Sequence, residues 1–325
     1  MKRRTLLKGL AAGGLVTALP MPYIGAQHNA ISPRTGKPFQ IAFSHPVSEA
    51  PIVSRIRNFA TERGAELGVE VLHDSTTSSQ LDRQVSTLET WIEANVDAIC
   101  VSPISPSSIA GLQKAAQEKG IIWTTYAMPM EGSDGTLGWD NDESGRLVGE
   151  HCAKWLSEQD IDGEVLLLTL KAIQSGQGRT DEPQRILSAL DGTRIVSAQD
   201  ASDAAKGLQV TENVLQANPG LNVVIGFSDD GALGALRAFT GTDKDPAQCY
   251  IAGQDGSLEA LQRIREGGFY KASSALPVKS IGHGVVDLNY ELLTGTAKSD
   301  VFNVGVVLAS MDDPAQLDDL ISQWD

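Results

Sequence analysis

Short apolar runs alternate with helical patterns along the chain from Phe39 almost to its end. The clearest helical pattern has apolar residues at positions 81, 85, 88, 92 and 96, which is the spacing of one helix face. Strands that alternate with helices are typical of βαβ units and of a parallel sheet. The predicted strands are residues 40–45, 69–73, 97–102, 121–127, 164–170, 194–198, 223–227 and 250–252. Periodicity alone therefore predicts an α/β protein.

The first residues differ from the rest of the chain. Lys2, Arg3 and Arg4 precede an apolar run rich in glycine and alanine over residues 9–19. Paired arginines before such a run are typical of a twin-arginine export signal, which we assign to residues 1–26. The run is shorter than the ~20 residues that span a bilayer, so we expect cleavage after Ala26 rather than a membrane anchor. Residues 16–18 offer a second cleavage site.

The net charge of the chain bears on the kind of partner that it can bind. It carries 26 lysines and arginines against 41 aspartates and glutamates, a formal net charge of −15. This acidity argues against a nucleic-acid partner, because such partners need a basic surface. The spacing of the three cysteines, Cys100, Cys152 and Cys249, suggests no disulfide framework. We expect them to be buried free thiols.

Polar groups follow two strands at the points where each strand ends. Residues 223–227 are followed by Ser228, Asp229 and Asp230, and residues 250–252 are followed by Gly253, Gln254 and Asp255. The carboxyl ends of neighbouring parallel strands form the crevice where open α/β sheets bind ligands. The sequence therefore predicts a ligand site at this edge.

The sequence of this region resembles that of a known protein family. Residues 229–238 fit D-x-x-A-L-G-A-L-R-A, and residues 253–256 fit G-x-D-G. Both segments resemble the sugar-binding branch of the type I periplasmic solute-binding proteins, the group that includes the ribose-binding protein. The resemblance extends over most of the chain after Phe39. The resemblance implies two similar lobes, each a parallel sheet flanked by helices, joined by a three-strand hinge.

The same resemblance implies lobe boundaries and a function. The N-terminal lobe would comprise residues 39–139 plus 276–297, and the C-terminal lobe residues 140–275 plus 298–325. A third crossover would lead into residues 301–308. The protein would be a periplasmic monomer that closes its cleft around a small polar ligand, a sugar or polyol. It would deliver that ligand to the membrane permease of an ABC importer.

The candidate ligand-binding residues of the C-terminal lobe are acidic or hydroxyl-bearing. A carboxylate at the position of Asp255 would grip vicinal hydroxyls through charge-assisted hydrogen bonds; the alternative is a helix N-cap. Ser228 departs from the amide usual in the family, and Asp229 either contacts the ligand or caps the next helix.

Two further candidates lie after the strand at residues 164–170. The family carries a ligand-binding arginine where this chain has Asp181, while Arg179 stands two residues earlier. Either Arg179 substitutes with its rigid fork of donors, or Asp181 faces the pocket and the ligand differs. An exposed or hinge-pairing arginine is the remaining alternative.

The N-terminal lobe offers a polar loop and two aromatic residues. His45 and Glu49 follow the first strand, and the alternative for His45 is a packed or solvated side chain. Tyr126 and Trp139 could form an aromatic wall, and the alternative for Trp139 is packing in the core or at the hinge. Relatives place sugar-stacking aromatics where this chain has Ile52 and Val53. This exchange favours an open-chain or short polyol.

The sequence contains no pattern that indicates catalysis. It has neither a G-x-S-x-G elbow nor an H-E-x-x-H helix. Residues 140–145 begin like a calcium loop, but the twelfth position is His151 instead of a glutamate. We therefore expect a binding protein that is not an enzyme and has no metal or cofactor. The alternatives are a sensory binding protein for a chemoreceptor or membrane kinase, and an enzyme on the same fold.

Overall fold

The computed structural model of the protein describes residues 31–46, 51–76, 80–171, 176–201 and 203–325. The signal segment predicted for residues 1–26 lies outside these ranges. Within them, no helix combines the length and the apolar character needed to cross a membrane.

Six of the described segments form a first sheet in which every strand pair is parallel. The strands are β1 (Gln40–Ser44), β2 (Glu70–His73), β3 (Ala98–Val101), β4 (Ile122–Tyr126), β5 (Gly135–Trp139) and β11 (Val301–Val304). Their order across the sheet is β11-β5-β4-β3-β1-β2.

Six other described segments form a second sheet. The strands are β6 (Gly163–Thr169), β7 (Thr193–Asp200), β8 (Val223–Gly226), β9 (Tyr250–Asp255), β10 (Tyr270–Ala275) and β12 (Val307–Ser310). Their order is β12-β10-β9-β8-β6-β7, and only β12 runs antiparallel, beside β10.

Ten α-helices in the described part of the chain flank the two sheets. They are α1 (Pro51–Leu67), α2 (Leu81–Glu93), α3 (Pro106–Glu118), α4 (Asn141–Gln159), α5 (Gly178–Ser188), α6 (Ala204–Ala217), α7 (Asp229–Thr240), α8 (Leu258–Glu266), α9 (Val278–Thr294) and α10 (Pro314–Ser322). A short 3-10 helix, Pro246–Gln248, precedes β9.

Each sheet has a hydrophobic core on both of its faces. In β1, Ile41 and Phe43 pack into one core and Ala42 into the other. In β6, Leu166 and Leu168 pack on one face and Leu167 on the opposite face. Strands covered on both faces read as continuous apolar runs, which explains the sequence pattern. The predicted fold class is confirmed.

The chain passes between the sheets three times, and the third passage lies later than predicted. After β5 and after β10 the chain changes sheet near the predicted positions. The assignment of residues 298–325 entirely to the C-terminal lobe is wrong, because β11 pairs with β5 in the first sheet. The apolar run of residues 301–308 is two strands separated at Gly305 and Val306.

The three cysteines are buried free thiols, as predicted. Cys100 lies on β3 in a core of the first sheet, and Cys152 lies on α4 in a core of the second sheet. Burial raises the pKa of the Cys100 thiol to about 12. It raises the pKa of the Cys152 thiol still further.

Candidate functional site

A cleft of about 750 Å³ lies between the two lobes, where strands of both sheets end. β4 and β5 of the first sheet and β9 of the second all reach it with their last residues. The residues that line it are Ile52, Tyr126, Trp139, Asp229, Asp230, Asp255, Ser257, Leu258, Glu259, Gln262, Arg263, Leu276, Ile281 and Trp324.

Asp255 ends β9 and faces this cleft. Its backbone has a φ of 117°, an unusual value for a residue with a side chain, and Gly256 follows with a φ of 74°. Such strained backbone at a strand end is a feature of functional sites. The N-cap of α8 is Ser257, whose hydroxyl accepts a hydrogen bond from the Ala260 N–H at 3.4 Å. The carboxylate of Asp255 is therefore not used as the helix cap.

Arg179 lies behind Asp255 and is paired with it. The guanidinium Nη1 donates to Asp255 Oδ1 at 2.5 Å, and the exposed fractions of the two side chains are 4% and 38%. The arginine is thus buried while the carboxylate remains open to the cleft. This geometry joins a cationic donor and an anionic acceptor at one point of the cleft wall.

The Arg179 side chain is held on several sides. Its Nε donates to Asn141 Oδ1 at 2.8 Å and its Nη1 to the carbonyl of Phe227 at 3.2 Å. The guanidinium carbon lies 5.9 Å from the ring centroid of Trp139 and 5.4 Å from that of Phe227. The buried Nη2 has no hydrogen-bond partner among the described residues.

Gln254 fixes the backbone that carries Arg179. Its buried amide Nε2 donates to the carbonyl of Arg179 at 2.7 Å and to that of Gly226 at 3.1 Å. Its Oε1 accepts from the Ser144 hydroxyl at 2.7 Å. The start of α5 is thereby tied to β8, β9 and α4. Sequence reasoning missed this role, although Gln254 lies inside the strand-end motif that it noticed.

The carboxylate of Asp229 is enclosed in the C-terminal lobe. It accepts hydrogen bonds from the Tyr270 hydroxyl at 2.9 Å, the Ser273 hydroxyl at 2.8 Å and the Ser257 N–H at 2.7 Å. Burial, with a smaller contribution from the charge of Asp255, raises the pKa of Asp229 to about 7. Asp229 borders the cleft, but its carboxylate oxygens connect α7, α8 and β10.

Ser228 and Asp181 are not among the residues that line the cleft, and neither are Arg179 and His45. Ser228 is the N-cap of α7, and its hydroxyl accepts from the Gly231 N–H at 3.5 Å. Asp181 is exposed in the first turn of α5. Residues two positions apart on an α-helix are separated by about 200° around its axis. Asp181 therefore points outward, whereas Arg179 points inward. The structure brings Arg179, and not Asp181, to Asp255.

The N-terminal lobe contributes Tyr126 and Trp139 to the same cleft, and His45 lies beside Tyr126 without being part of the lining. The centroids of His45 and Tyr126 are 5.5 Å apart, and those of Tyr126 and Trp139 are 6.1 Å apart. Burial, together with the nearby charge of Arg57, lowers the pKa of His45 to about 4, which leaves its ring neutral at pH 7. Burial and the charge of Asp255 raise the pKa of Tyr126 well above its usual range. Glu49, the other loop candidate, lies outside the described residues.

The expectation of an open-chain or short polyol assumes a shortage of aromatic residues that the described cleft does not show. Of the two aliphatic residues that motivated it, only Ile52 lines the cleft, and Val53 is buried. Tyr126 and Trp139 supply ring faces there instead, and Trp324 adds a third. Trp324 and Asn141 are residues that sequence reasoning did not propose. Asn141 had a weak signal, since it follows the first crossover directly.

Curated and solved proteins resemble this chain over most of its length. The ribose import binding protein of Bacillus subtilis strain 168 is 26% identical over 234 residues, which cover 71% of this chain and 74% of that protein. A crystal structure described as a periplasmic ribose ABC transporter from Conexibacter woesei matches with a TM-score of 0.76 at 20% identity, covering 88% of this chain and 95% of that one.

A second solved structure is an ABC transporter solute-binding protein from Bacillus halodurans with bound myo-inositol. It matches with a TM-score of 0.70 at 20% identity, covering 88% of this chain and 98% of that one. The family model described as a periplasmic binding protein domain matches residues 41–297. Both lobes contribute to that stretch, and the chain belongs to the periplasmic binding protein domain family.

Proposed function

We propose that this chain is the exported solute-binding component of an ABC importer and that its ligand is a sugar or polyol. The observation that carries the proposal is the Arg179–Asp255 pair at the cleft wall. The half-exposed carboxylate can accept hydrogen bonds from two adjacent hydroxyls, and the unused Nη2 of Arg179 can donate one. A vicinal diol presents donors and acceptors in this combination.

The opposite side of the cleft suits the carbon frame of such a ligand. Tyr126 and Trp139 present ring faces, on which the C–H surface of a sugar can pack. Polar groups from the C-terminal lobe and rings from the N-terminal lobe therefore contact one ligand together. A ligand that touches both lobes binds the closed state more tightly than the open state, and this difference drives closure.

The relatives support the transport role. The similar protein of Bacillus subtilis is named for ribose import, and the similar structure from Bacillus halodurans holds myo-inositol. Residues 1–26 would direct export to the periplasm, and a membrane permease would receive the closed, monomeric protein. The ligand would be released unchanged, because the role is binding and delivery.

Isothermal titration calorimetry with aldopentoses, aldohexoses, pentitols and inositols tests this proposal. At least one compound should bind, and chromatography after incubation should recover it unchanged. Arg179→Lys should weaken that binding at least tenfold, because lysine lacks the fork that reaches Asn141, Phe227 and Asp255 at once. Asp181→Asn, on the exposed side of α5, is the matched control. No binding across the panel, or a chemically altered product, would contradict the proposal.

A further inference from the structure

Trp324 brings an aromatic ring from the end of the chain into the ligand cleft. It follows α10, and its N–H donates to the carbonyl of Ile321 at 3.0 Å. The half-buried indole packs against a hydrophobic core of each lobe and also lines the cleft that contains Asp255. Its position makes it part of the same binding site.

The preceding residue fastens this segment to the N-terminal lobe. The carbonyl of Gln323 accepts from Arg55 Nε on α1 at 3.1 Å, and its Oε1 accepts from the Lys279 N–H on α9 at 3.1 Å. Its Nε2 donates to Asp319 on α10 at 3.1 Å. Three helices therefore fix the backbone next to Trp324, and the indole is positioned before any ligand arrives.

Trp324 continues an apolar wall along one side of the cleft. The members of this wall all belong to, or pack against, one core of the N-terminal lobe. They are Ile52, Tyr126, Trp139, Leu276, Ile281 and Trp324. The C-terminal lobe lines the cleft mainly with carboxylates and other polar groups from α7, α8 and the end of β9. The cleft is therefore apolar on one side and polar on the other.

The apolar wall is larger than the face of one sugar ring. Two of its members, Tyr126 and Trp139, are neighbouring rings with centroids 6.1 Å apart. Ile52, Leu276 and Trp324 add further apolar surface to the same lining. A hydroxyl placed against this added surface would lose water and gain no hydrogen bond from an aliphatic side chain. A methyl group placed there would be favoured by about tenfold in affinity, the usual effect of one methylene in an apolar pocket.

We propose that Trp324 is a specificity-determining residue and that the preferred ligand carries an apolar substituent, as in a deoxy sugar or a methyl glycoside. This inference rests on the proposed function, since it assumes that a sugar occupies the cleft. The hydroxyls of that sugar face Asp255 and Arg179, and its methyl group lies against the wall beside Trp324.

Matched pairs of sugars test the inference by calorimetry on the purified protein. The pairs are D-glucose with 6-deoxy-D-glucose, D-galactose with 6-deoxy-D-galactose, and D-xylose and D-ribose each with its methyl β-glycoside. In at least one pair the methyl-bearing member should bind about tenfold more tightly than its parent. Parents that bind as tightly as their partners in every pair would overturn the inference and leave the proposed function standing. If neither the parent sugars nor their methyl-bearing partners bind, both this inference and the proposed function are wrong.

Variants assign the preference to Trp324. Trp324→Ala should bring the affinity ratio of the pair close to one, while Trp324→Leu, which keeps an apolar side chain, should retain part of it. Trp155→Ala is the matched control, because Trp155 packs on Tyr250 in the C-terminal lobe, with ring centroids 5.5 Å apart, and does not line the cleft. An unchanged ratio in the folded Trp324 variants would overturn the assignment.

Discussion

Replacing Asp255 by asparagine removes the charge at the cleft wall and keeps the size of the side chain. In the native protein this carboxylate accepts from Arg179 at 2.5 Å and is 38% exposed. A hydrogen bond to a charged group contributes about 1.5–3 kcal/mol net. The loss of one such bond to a ligand hydroxyl should therefore weaken binding about 10- to 150-fold.

The same change should have a smaller effect on stability. Breaking a fully buried ion pair costs about 3–5 kcal/mol, because a charge is left buried without a counterion. Asp255 is more than one-third exposed, so solvent screens the pair and reduces the loss. We expect the free energy of unfolding to fall by roughly 1–2 kcal/mol, between the buried case and the exposed one. Urea denaturation measures this change.

Asp181→Asn gives the matched control for calorimetry. It makes the same chemical change on α5, at an exposed side chain two residues from Arg179. Affinity and unfolding midpoint should both stay at the native values in this variant. If Asp255→Asn also binds within about threefold of the native protein, Asp255 does not contact the ligand and the reasoning from the ion pair is wrong.

Three further changes probe other parts of the site. Gly253→Ala should lower the free energy of unfolding by about 1–3 kcal/mol, because its Cβ would lie 2.4 Å from both Asp229 Oδ1 and Tyr270 Oη; an unchanged urea midpoint would argue against this packing. The pKa of Asp229 is raised from 3.8 to about 7. Between these pH values the folded protein therefore binds more protons at this carboxyl group than the unfolded chain does. The free energy of unfolding should therefore decrease as pH rises from 4 to 7, by at most about 1.4 kcal/mol per pH unit. Asp229→Asn should remove this slope in urea titrations, and a slope retained in the variant would refute the assignment. Trp139→Ala should weaken ligand binding about tenfold by removing a ring face and the contact with Arg179, and calorimetry showing native affinity would remove Trp139 from the site.

The sequence predicts those parts of the site that depend on local pattern. Asp255 is predicted because it stands at the end of a buried apolar strand, and strand ends meet at one edge of a parallel sheet. The choice between Arg179 and Asp181 depends on how α5 is rotated against the second sheet. That rotation is fixed by Gln254, a residue 75 positions away from Arg179 in the chain. No local pattern contains this information.

The sequence does not place Trp324 in the cleft, and it places the third crossover too early, because distant parts of the chain decide both features. Trp324 lies in the cleft because Gln323 is bonded to Arg55, 268 positions earlier. The third passage between the lobes lies within the apolar run of residues 301–308, which has the pattern of a single strand. Only the pairing of β11 with β5 and of β12 with β10 separates its two halves.

The buried cysteines give each lobe its own chemical reporter of unfolding. Alkylating reagents attack the thiolate, and burial keeps both Cys100 in the N-terminal lobe and Cys152 in the C-terminal lobe protonated and inaccessible. Each thiol should be modified only when its own lobe unfolds. The rates of modification at the two positions, followed by mass spectrometry, would then show which lobe unfolds first. They would also show whether a ligand slows the unfolding of both lobes equally. In an oxidising compartment the same protection would confine cysteine oxidation to molecules that have lost their fold.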